Sequence, residues 1–185
     1  MVLSQQHLPQ LIRYATGWVR RLHDELYPTA TPLPEQLIPL FGPFFAASTL
    51  ARIRLQFVPE IPNPDFYPAL EAQGLPVPLD FRVMAGLTLI DTVLISQSQA
   101  VFSAPRLASL LFHEGVHVVQ YEHLGLERFM TEYVLGWASA GQRYEGIPLE
   151  QQAYGLEARF AAEPSAPFSV LEAVAAAYPS SAPAA

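Results

Sequence analysis

The residues of this chain best suited to chemistry lie in the segment His113-Glu114-Gly115-Val116-His117, an HExxH pattern. On a helix, residues four apart lie one turn apart on the same face, so the two imidazoles can bind one metal ion together. Imidazole nitrogens are common zinc ligands, and the glutamate after the first histidine lies close enough to act as a general base. The pattern therefore predicts a zinc site at His113 and His117, with Glu114 as the catalytic base.

A catalytic zinc ion needs a third protein ligand, with its fourth position left for water, and His123 is the first candidate by spacing. It lies six residues after His117, as the third histidine does in the metzincin pattern HExxHxxGxxH. That pattern needs a glycine to let the chain leave the helix, but Gln120 stands at this position, within an apolar and strongly helical stretch. If the helix continues, His123 lies on its wrong side, so the geometry disfavours it.

Glu150 is the favoured third ligand. It lies 33 residues after His117, in the first turn of a helix that Pro148 is predicted to open. If this helix packs against the HExxH helix, Glu150 can complete a set of two histidines and one glutamate, although an acidic residue in a first turn also complements the helix dipole. Glu157, two turns further along the same face, is the second choice, as a ligand or as a supporting group. Glu145, in the preceding loop, is the third.

Hydrolysis at such a site also needs a donor to stabilise the oxygen that becomes negative on the attacked carbonyl. Tyr144 is the favoured candidate for this catalytic role, and Tyr154 and Arg143 are alternatives, although each of these residue types is also common in a purely structural role. Zinc-bound histidines are usually oriented by a second shell of carboxylates. Asp91 can fill this role from the preceding β-segment, and a turn explains Asp91 equally well.

The elements that must position these residues follow from hydrophobic periodicity. A helix begins at Ser103–Pro105 and is ended by Gly125, and because it is apolar nearly all round it is expected to be central and buried. Residues 84–97 are predicted to form β-structure with a hairpin turn near Asp91, and Ile53, Leu55 and Phe57 indicate a half-buried strand. Further helices are predicted at 8–26, 35–40, 44–50, 126–137 and 148–162, and the proline-rich stretch 59–78 is predicted to be loop-rich.

Composition excludes several classes of function. The net charge of −7 argues against a nucleic-acid surface, which needs a basic stripe to neutralise phosphates. All ten basic residues are arginine, so Schiff-base chemistry and the phosphate-loop lysine are excluded. The chain has no cysteine, which excludes thiol nucleophiles, cysteine-ligated zinc and disulfides.

The chain is predicted to form one domain over residues 1–165, with its site region at 84–160, followed by an Ala/Pro-rich tail at 166–185 that is partly disordered. A short helix is predicted within that tail, at 168–178. The amino terminus lacks the features of a signal peptide, and no apolar run reaches membrane-spanning length. A cytoplasmic protein without membrane contact is therefore expected, with export by a leaderless route left open.

The segments LLFHEGVHVVQYEHLGLERF and YEGIPLEQQAYGLEARF resemble the zincin superfamily in its gluzincin branch. More narrowly, they resemble small bacterial HExxHxxQ domains, including the metallopeptidase-like domain found with extracellular contractile injection systems. The resemblance covers roughly residues 84–160. It implies an α+β, mainly helical domain with a small, mostly antiparallel sheet beside the HExxH helix. It also implies zinc held by His113, His117 and Glu150, and an edge strand at Thr92–Ser96 that holds an extended peptide.

The function expected from these features is a zinc-dependent hydrolase, specifically a peptidase acting on a peptide or protein substrate. Zinc would lower the pKa of its bound water, and Glu114 would accept that proton as the water attacks a carbonyl. Two alternatives stay open: a catalytically inactive zincin-like module with a binding or structural role, and hydrolysis of a non-peptide amide. The sequence predicts neither the substrate nor the oligomeric state.

Overall fold

Eight α-helices and a four-stranded sheet make up the computed structural model, which describes residues 5–75, 77, 79–99 and 103–179. This architecture confirms the predicted α+β, mainly helical class. The strands are β1 (Thr31–Pro32), β2 (Arg54–Val58), β3 (Gly86–Leu89) and β4 (Thr92–Ser96). The helices are α1 (Leu8–Leu26), α2 (Ile38–Phe41), α3 (Ala47–Arg52), α4 (Tyr67–Ala72), α5 (Ala104–Leu124), α6 (Leu126–Ser139), α7 (Pro148–Ala162) and α8 (Val170–Ala177).

The sheet has the order β1-β2-β4-β3. The outer pairs are antiparallel, as predicted for most of the sheet, while the central pair β2 and β4 is parallel, with Leu55 opposite Val93. The hairpin of β3 and β4 turns at Ile90 and Asp91, as predicted. The prediction that Thr92–Ser96 is an edge strand is wrong: all five of its residues are buried, and β3 forms the edge beside α5. An apolar run of this kind is typical of a strand covered on both faces.

Helix α5 lies in the centre of the molecule. It packs against α6, α7, α8 and both hairpin strands, and every residue from Leu111 to Tyr121 is buried. Its apolar composition on all sides explains this position, since each face meets another element. The buried stretch includes His113, Glu114, His117 and Gln120, so these four polar side chains lie inside an apolar environment and need partners there.

Two hydrophobic clusters form the core, and the sheet contributes to both. In β4, Leu94 belongs to the cluster built on α1 and α6, whereas Val93 and Ile95 belong to the cluster built on α2, α5 and α8. This division follows from the alternation of side chains along a strand. Helix α1 is amphipathic as predicted, with Trp18 buried and Arg13 exposed.

Two predicted elements differ from those observed. The stretch predicted to be loop-rich contains α4, because proline is tolerated in the first turn of a helix and Pro68 takes that place. In the strand β2, Phe57 is exposed rather than buried. The short helix predicted at 168–178 is confirmed as α8, whose Val170 and Val174 are fully buried against the core. Residues 180–185 lie outside the described residues.

The helices predicted near 35–40 and 44–50 occur as a 3₁₀ turn leading into α2, and as α3 slightly further along the chain. The predicted bounds of α1 and α7 match the observed ones. Among the described helices, none combines the length and the apolar character needed to span a membrane.

Candidate metal centre

Three side chains bring one ligand atom each to a common point: His113, His117 and Glu150. The Nε2 atoms of the two histidines lie 3.1 Å apart, and Oε2 of Glu150 lies 3.3 Å from the first and 3.4 Å from the second. Ligands of a tetrahedral zinc ion, bonded at about 2.0–2.1 Å, are separated from one another by about 3.3 Å. The observed triangle therefore has the size that a zinc ion requires, and this buried group can hold a metal ion.

Two packed helices form the triangle. Helix α5 carries His113 and His117 one turn apart, and α7 packs along it so that Glu150, in the first turn of α7, faces both imidazoles. All three side chains are buried. The favoured third ligand predicted from sequence thus lies at the point where the HExxH pattern needs it.

The orientation of His117 is fixed by Gln120. The amide nitrogen of Gln120 donates to the Leu149 carbonyl at 3.1 Å and to Oε1 of Gln152 at 2.9 Å, so its oxygen faces Nδ1 of His117 at 2.8 Å. Because an amide oxygen only accepts hydrogen bonds, Nδ1 of His117 must carry the proton and donate it. The Nε2 atom of His117 is then unprotonated, and its lone pair faces the triangle. Gln152 in turn donates to the carbonyl of Ala173 in α8.

Glu157 supports His113 in the same way. Its Oε2 lies 3.2 Å from Nδ1 of His113, so the Glu157 carboxylate lies behind the ring instead of within the triangle.

Burial opposes a charge on His113, but hydrogen bonds to Glu150 and Glu157 outweigh that cost and raise its pKa to about 10. Burial likewise opposes a charge on Glu150, yet the two histidines hold the pKa of Glu150 below its ordinary value. The surroundings of the triangle therefore favour a positive charge within it.

Glu114 is held beside the triangle by the edge strand. Thr88 of β3 donates from Oγ1 to Oε2 of Glu114 at 2.7 Å and lies 3.1 Å from the Glu114 carbonyl oxygen. The other carboxylate oxygen lies against Gly86, where a side chain would have no room. Burial raises the pKa of Glu114, and the neighbouring histidines partly offset that increase. A carboxylate of raised pKa is well suited to accept a proton.

Three tyrosines surround the carboxylate of Glu150. Tyr133 donates to Oε1 at 2.8 Å, so the oxygen that does not face the histidines is already bound. The hydroxyl of Tyr144, the predicted donor, lies close to Glu150 and Tyr154. Burial and the negative charge of Glu150 raise the pKa of both Tyr133 and Tyr144, which keeps their hydroxyls protonated. The ring of Tyr154 lies 4.4 Å from that of His113.

Four candidates from the sequence lie away from the triangle. His123 contacts the carbonyl of Tyr178 at 2.6 Å, as expected if α5 continues as a helix. Asp91 does not orient a ligand histidine: it pairs with His23 at 3.0 Å, because the turn points towards α1. Arg143 is exposed and donates to the Ala140 carbonyl at the end of α6. Glu145 is exposed on the rim of the cleft.

Two spaces meet at the triangle. An open cleft runs outwards over Tyr154 and Glu157, and a smaller apolar pocket leads inwards. The walls common to both are Met84, Gly86, Glu114 and Tyr144. A substrate in the cleft can therefore reach Glu114 while another part of it enters the interior.

Sequence reasoning missed the supporting roles of Gln120, Thr88 and Tyr133. Gln120 could have been found, because it lies three residues after His117 on the same helix face and is polar within an apolar stretch. Thr88 and Tyr133 reach the site only through the packing of β3 and α6, and no local pattern marks them.

Comparison with known proteins gives no match: no family model, no curated protein and no solved structure is recognisably similar to this chain.

Proposed function

We propose that the protein is a zinc-dependent hydrolase of peptide or other amide bonds, with zinc held by His113, His117 and Glu150. The observation that carries this proposal is the triangle of ligand atoms, 3.1–3.4 Å on each side, with a separate buried carboxylate beside it. Three protein ligands leave the fourth position of a tetrahedral zinc for water or substrate. A purely structural zinc site has no need of Glu114, since its four positions are closed by ligands.

A zinc ion in this position would supply Lewis acidity, which lowers the pKa of water towards neutrality and stabilises negative charge on a carbonyl oxygen. Glu114 accepts the proton of the attacking water as the new carbon–oxygen bond forms. When the carbon–nitrogen bond breaks, Glu114 passes that proton to the leaving nitrogen, so the products are a carboxylate and an amine. Thr88 and Gly86 keep the Glu114 carboxylate in place for both transfers.

Tyr144 is the residue that we assign to the developing oxyanion. It lines both the cleft and the inner pocket beside Glu114, and its raised pKa keeps the hydroxyl available as a donor. Tyr154 is the alternative, because its half-exposed ring lies against His113 on the cleft side. Either phenol is placed next to the ligands, whereas Arg143 is engaged at the end of α6.

The position of β3 supports a peptide as substrate. This strand is at the edge of the sheet, and its first residue, Gly86, lines the open cleft beside Glu114. An edge strand can bind an extended peptide through backbone hydrogen bonds. The role that the resemblance gives to Thr92–Ser96 therefore passes, in this proposal, to Gly86 and Leu87 at the start of β3, which are only partly buried.

The test is to purify the wild type and the Glu114→Gln variant, measure bound zinc, and assay both against a diverse library of peptides and acyl amides. We expect about one zinc per chain in each protein, and at least a hundredfold lower hydrolysis in Glu114→Gln, within the range for loss of a general base. Glu145→Gln is the matched control, because it makes the same exchange on the rim of the same cleft. It should keep full activity.

Two results would contradict the proposal in different ways. Zinc without hydrolysis of any library member by the wild type would favour the inactive binding or structural module. If the wild type contains no zinc and hydrolyses no library member, the assignment of a metal site is itself contradicted.

A further inference from the structure

The inner pocket does not end at the metal centre. Beyond it lies a second apolar pocket, bordered by α1, α6 and the segment around α4. The two pockets share the walls Trp18, Phe81, Met130 and Tyr133, so they adjoin one another. The shared Tyr133 also donates to Glu150, which links the path directly to a metal ligand.

Helix α1 gives the depth of this path. Val19 lines the first pocket and Leu11 lines the second, and these residues are eight positions apart on one helix. At 1.5 Å per residue the path extends roughly 12 Å along α1. A depth of roughly 12 Å exceeds the reach of an apolar amino-acid side chain from a backbone bound at the metal.

The walls of the second pocket favour a hydrocarbon chain over a peptide backbone. A peptide would bring an N–H and a C=O group for every residue, and each needs a partner when buried. The hydroxyls of Tyr67 and Tyr133, which line this pocket, are already hydrogen-bonded, to the Leu79 N–H and to Glu150 respectively. Most of the remaining walls are aliphatic or aromatic, Leu11 and Ala15 among them.

We propose that these two pockets form one channel for the unbranched apolar chain of an acyl group, so that the substrate is a long-chain N-acyl amide or N-acylated peptide. This inference rests on the proposed hydrolase function. The acyl carbonyl lies at the metal centre, the alkyl chain lies in the channel, and the amine portion lies in the open cleft. Water adds its oxygen to the acyl carbon, the carbon–nitrogen bond breaks, and the nitrogen takes the proton carried by Glu114. The products are a fatty acid and an amine.

Binding of alkyl hydroxamates to the zinc-loaded protein tests this channel without requiring turnover. In a series from acetyl to dodecanoyl, the affinity should rise roughly fourfold per added methylene, the value for burial of one CH₂ group, until the channel is full. Ala15→Trp should fill the second pocket, so that the affinity stops rising at a chain several carbons shorter than in the wild type. The acetyl member should bind as it does to the wild type. Ala15→Leu is the milder variant, should the tryptophan prevent folding. Arg13→Trp, on the exposed face of the same helix, should leave the series unchanged.

The outcomes separate this inference from the proposed function. Affinity that does not grow beyond the shortest chains, or growth that is the same in the Ala15 variants, would overturn the channel. Tighter binding of a phenylalkyl hydroxamate than of any long alkyl member would also overturn it, by indicating a side-chain pocket. If the protein binds no zinc, displacement of a fluorescent fatty acid by acids of increasing length still tests the channel. If the affinity then rises with the length of the acid, and if this rise ends at a shorter acid in Ala15→Leu, the result would support the channel even though the proposed hydrolase function has been contradicted.

Discussion

At the scale of single residues, the site is defined by which atom of each ligand is left free. Glu157 and Gln120 occupy the Nδ1 atoms of His113 and His117, and Tyr133 occupies one oxygen of Glu150. The atoms that remain, two Nε2 and one Oε2, are those that converge. Such preorganisation matters because partners behind the ligands typically contribute ten- to a hundredfold to metal affinity.

Gly86→Ala tests the position of Glu114, the proposed catalytic base. A Cβ atom at position 86 would overlap the carboxylate of Glu114 and the side chain of Leu110, so the base must move. We expect hydrolysis to fall by at least about tenfold, because a displaced general base loses part of its usual contribution, while zinc content is unchanged. Gly155→Ala is the control: the added methyl group meets open space on α7, and the exchange should leave activity intact and slightly stabilise the helix. Wild-type activity in Gly86→Ala would contradict the role of Glu114.

At the scale of elements, the sequence correctly predicted the helices and turns that depend on local patterns of residues. The hairpin near Asp91 was predicted in this way, and the periodicity of α5 together with the proline that opens α7 was enough to predict Glu150 as the third ligand. The errors concern contacts between distant segments. The parallel pairing of β2 with β4 makes Thr92–Ser96 central, and the pairing of Asp91 with His23 draws that residue away from the metal centre. The helix α8 was predicted, but its burial was not, because that burial depends on contacts with α5 and α7.

Gly136→Ala tests how α6 positions the start of α7. Gly136 lies where a Cβ atom would come within 2.6 Å of Cδ of Pro148, so the close approach of the two helices needs a glycine. We expect the variant to push Pro148 away, to move Glu150 from the histidines, and to weaken zinc affinity by about tenfold or more. Zinc titration measures this effect, with circular dichroism to confirm that the helices remain. Gly17→Ala, where only the end of the flexible Arg21 side chain is near, should bind zinc normally.

At the scale of the whole molecule, the metal centre connects parts of the chain that are distant in sequence. Its ligands come from α5 and α7, and its supporting groups come from β3, α6 and, through Gln152, α8. The buried carboxylate of Glu150 faces two histidines, and the raised pKa of His113 means that a proton on this imidazole balances the carboxylate charge when no metal is bound. A bound cation replaces that proton and joins the two helices, so metal binding should stabilise the fold as a unit.

Thermal unfolding with and without zinc tests this coupling. A ligand at a hundred times its dissociation constant stabilises the folded state by about 2.7 kcal/mol, which for a chain of this size corresponds to a rise in Tm of roughly 5–10 °C. His117→Gln should abolish the rise, because it removes one corner of the triangle. His123→Gln makes the same exchange later on the same helix, where the side chain contacts only the Tyr178 carbonyl among the described partners, and it should keep the full rise. An equal rise in both variants would mean that zinc binds elsewhere. A rise lost only in His117→Gln would place the zinc ion at the triangle between α5 and α7.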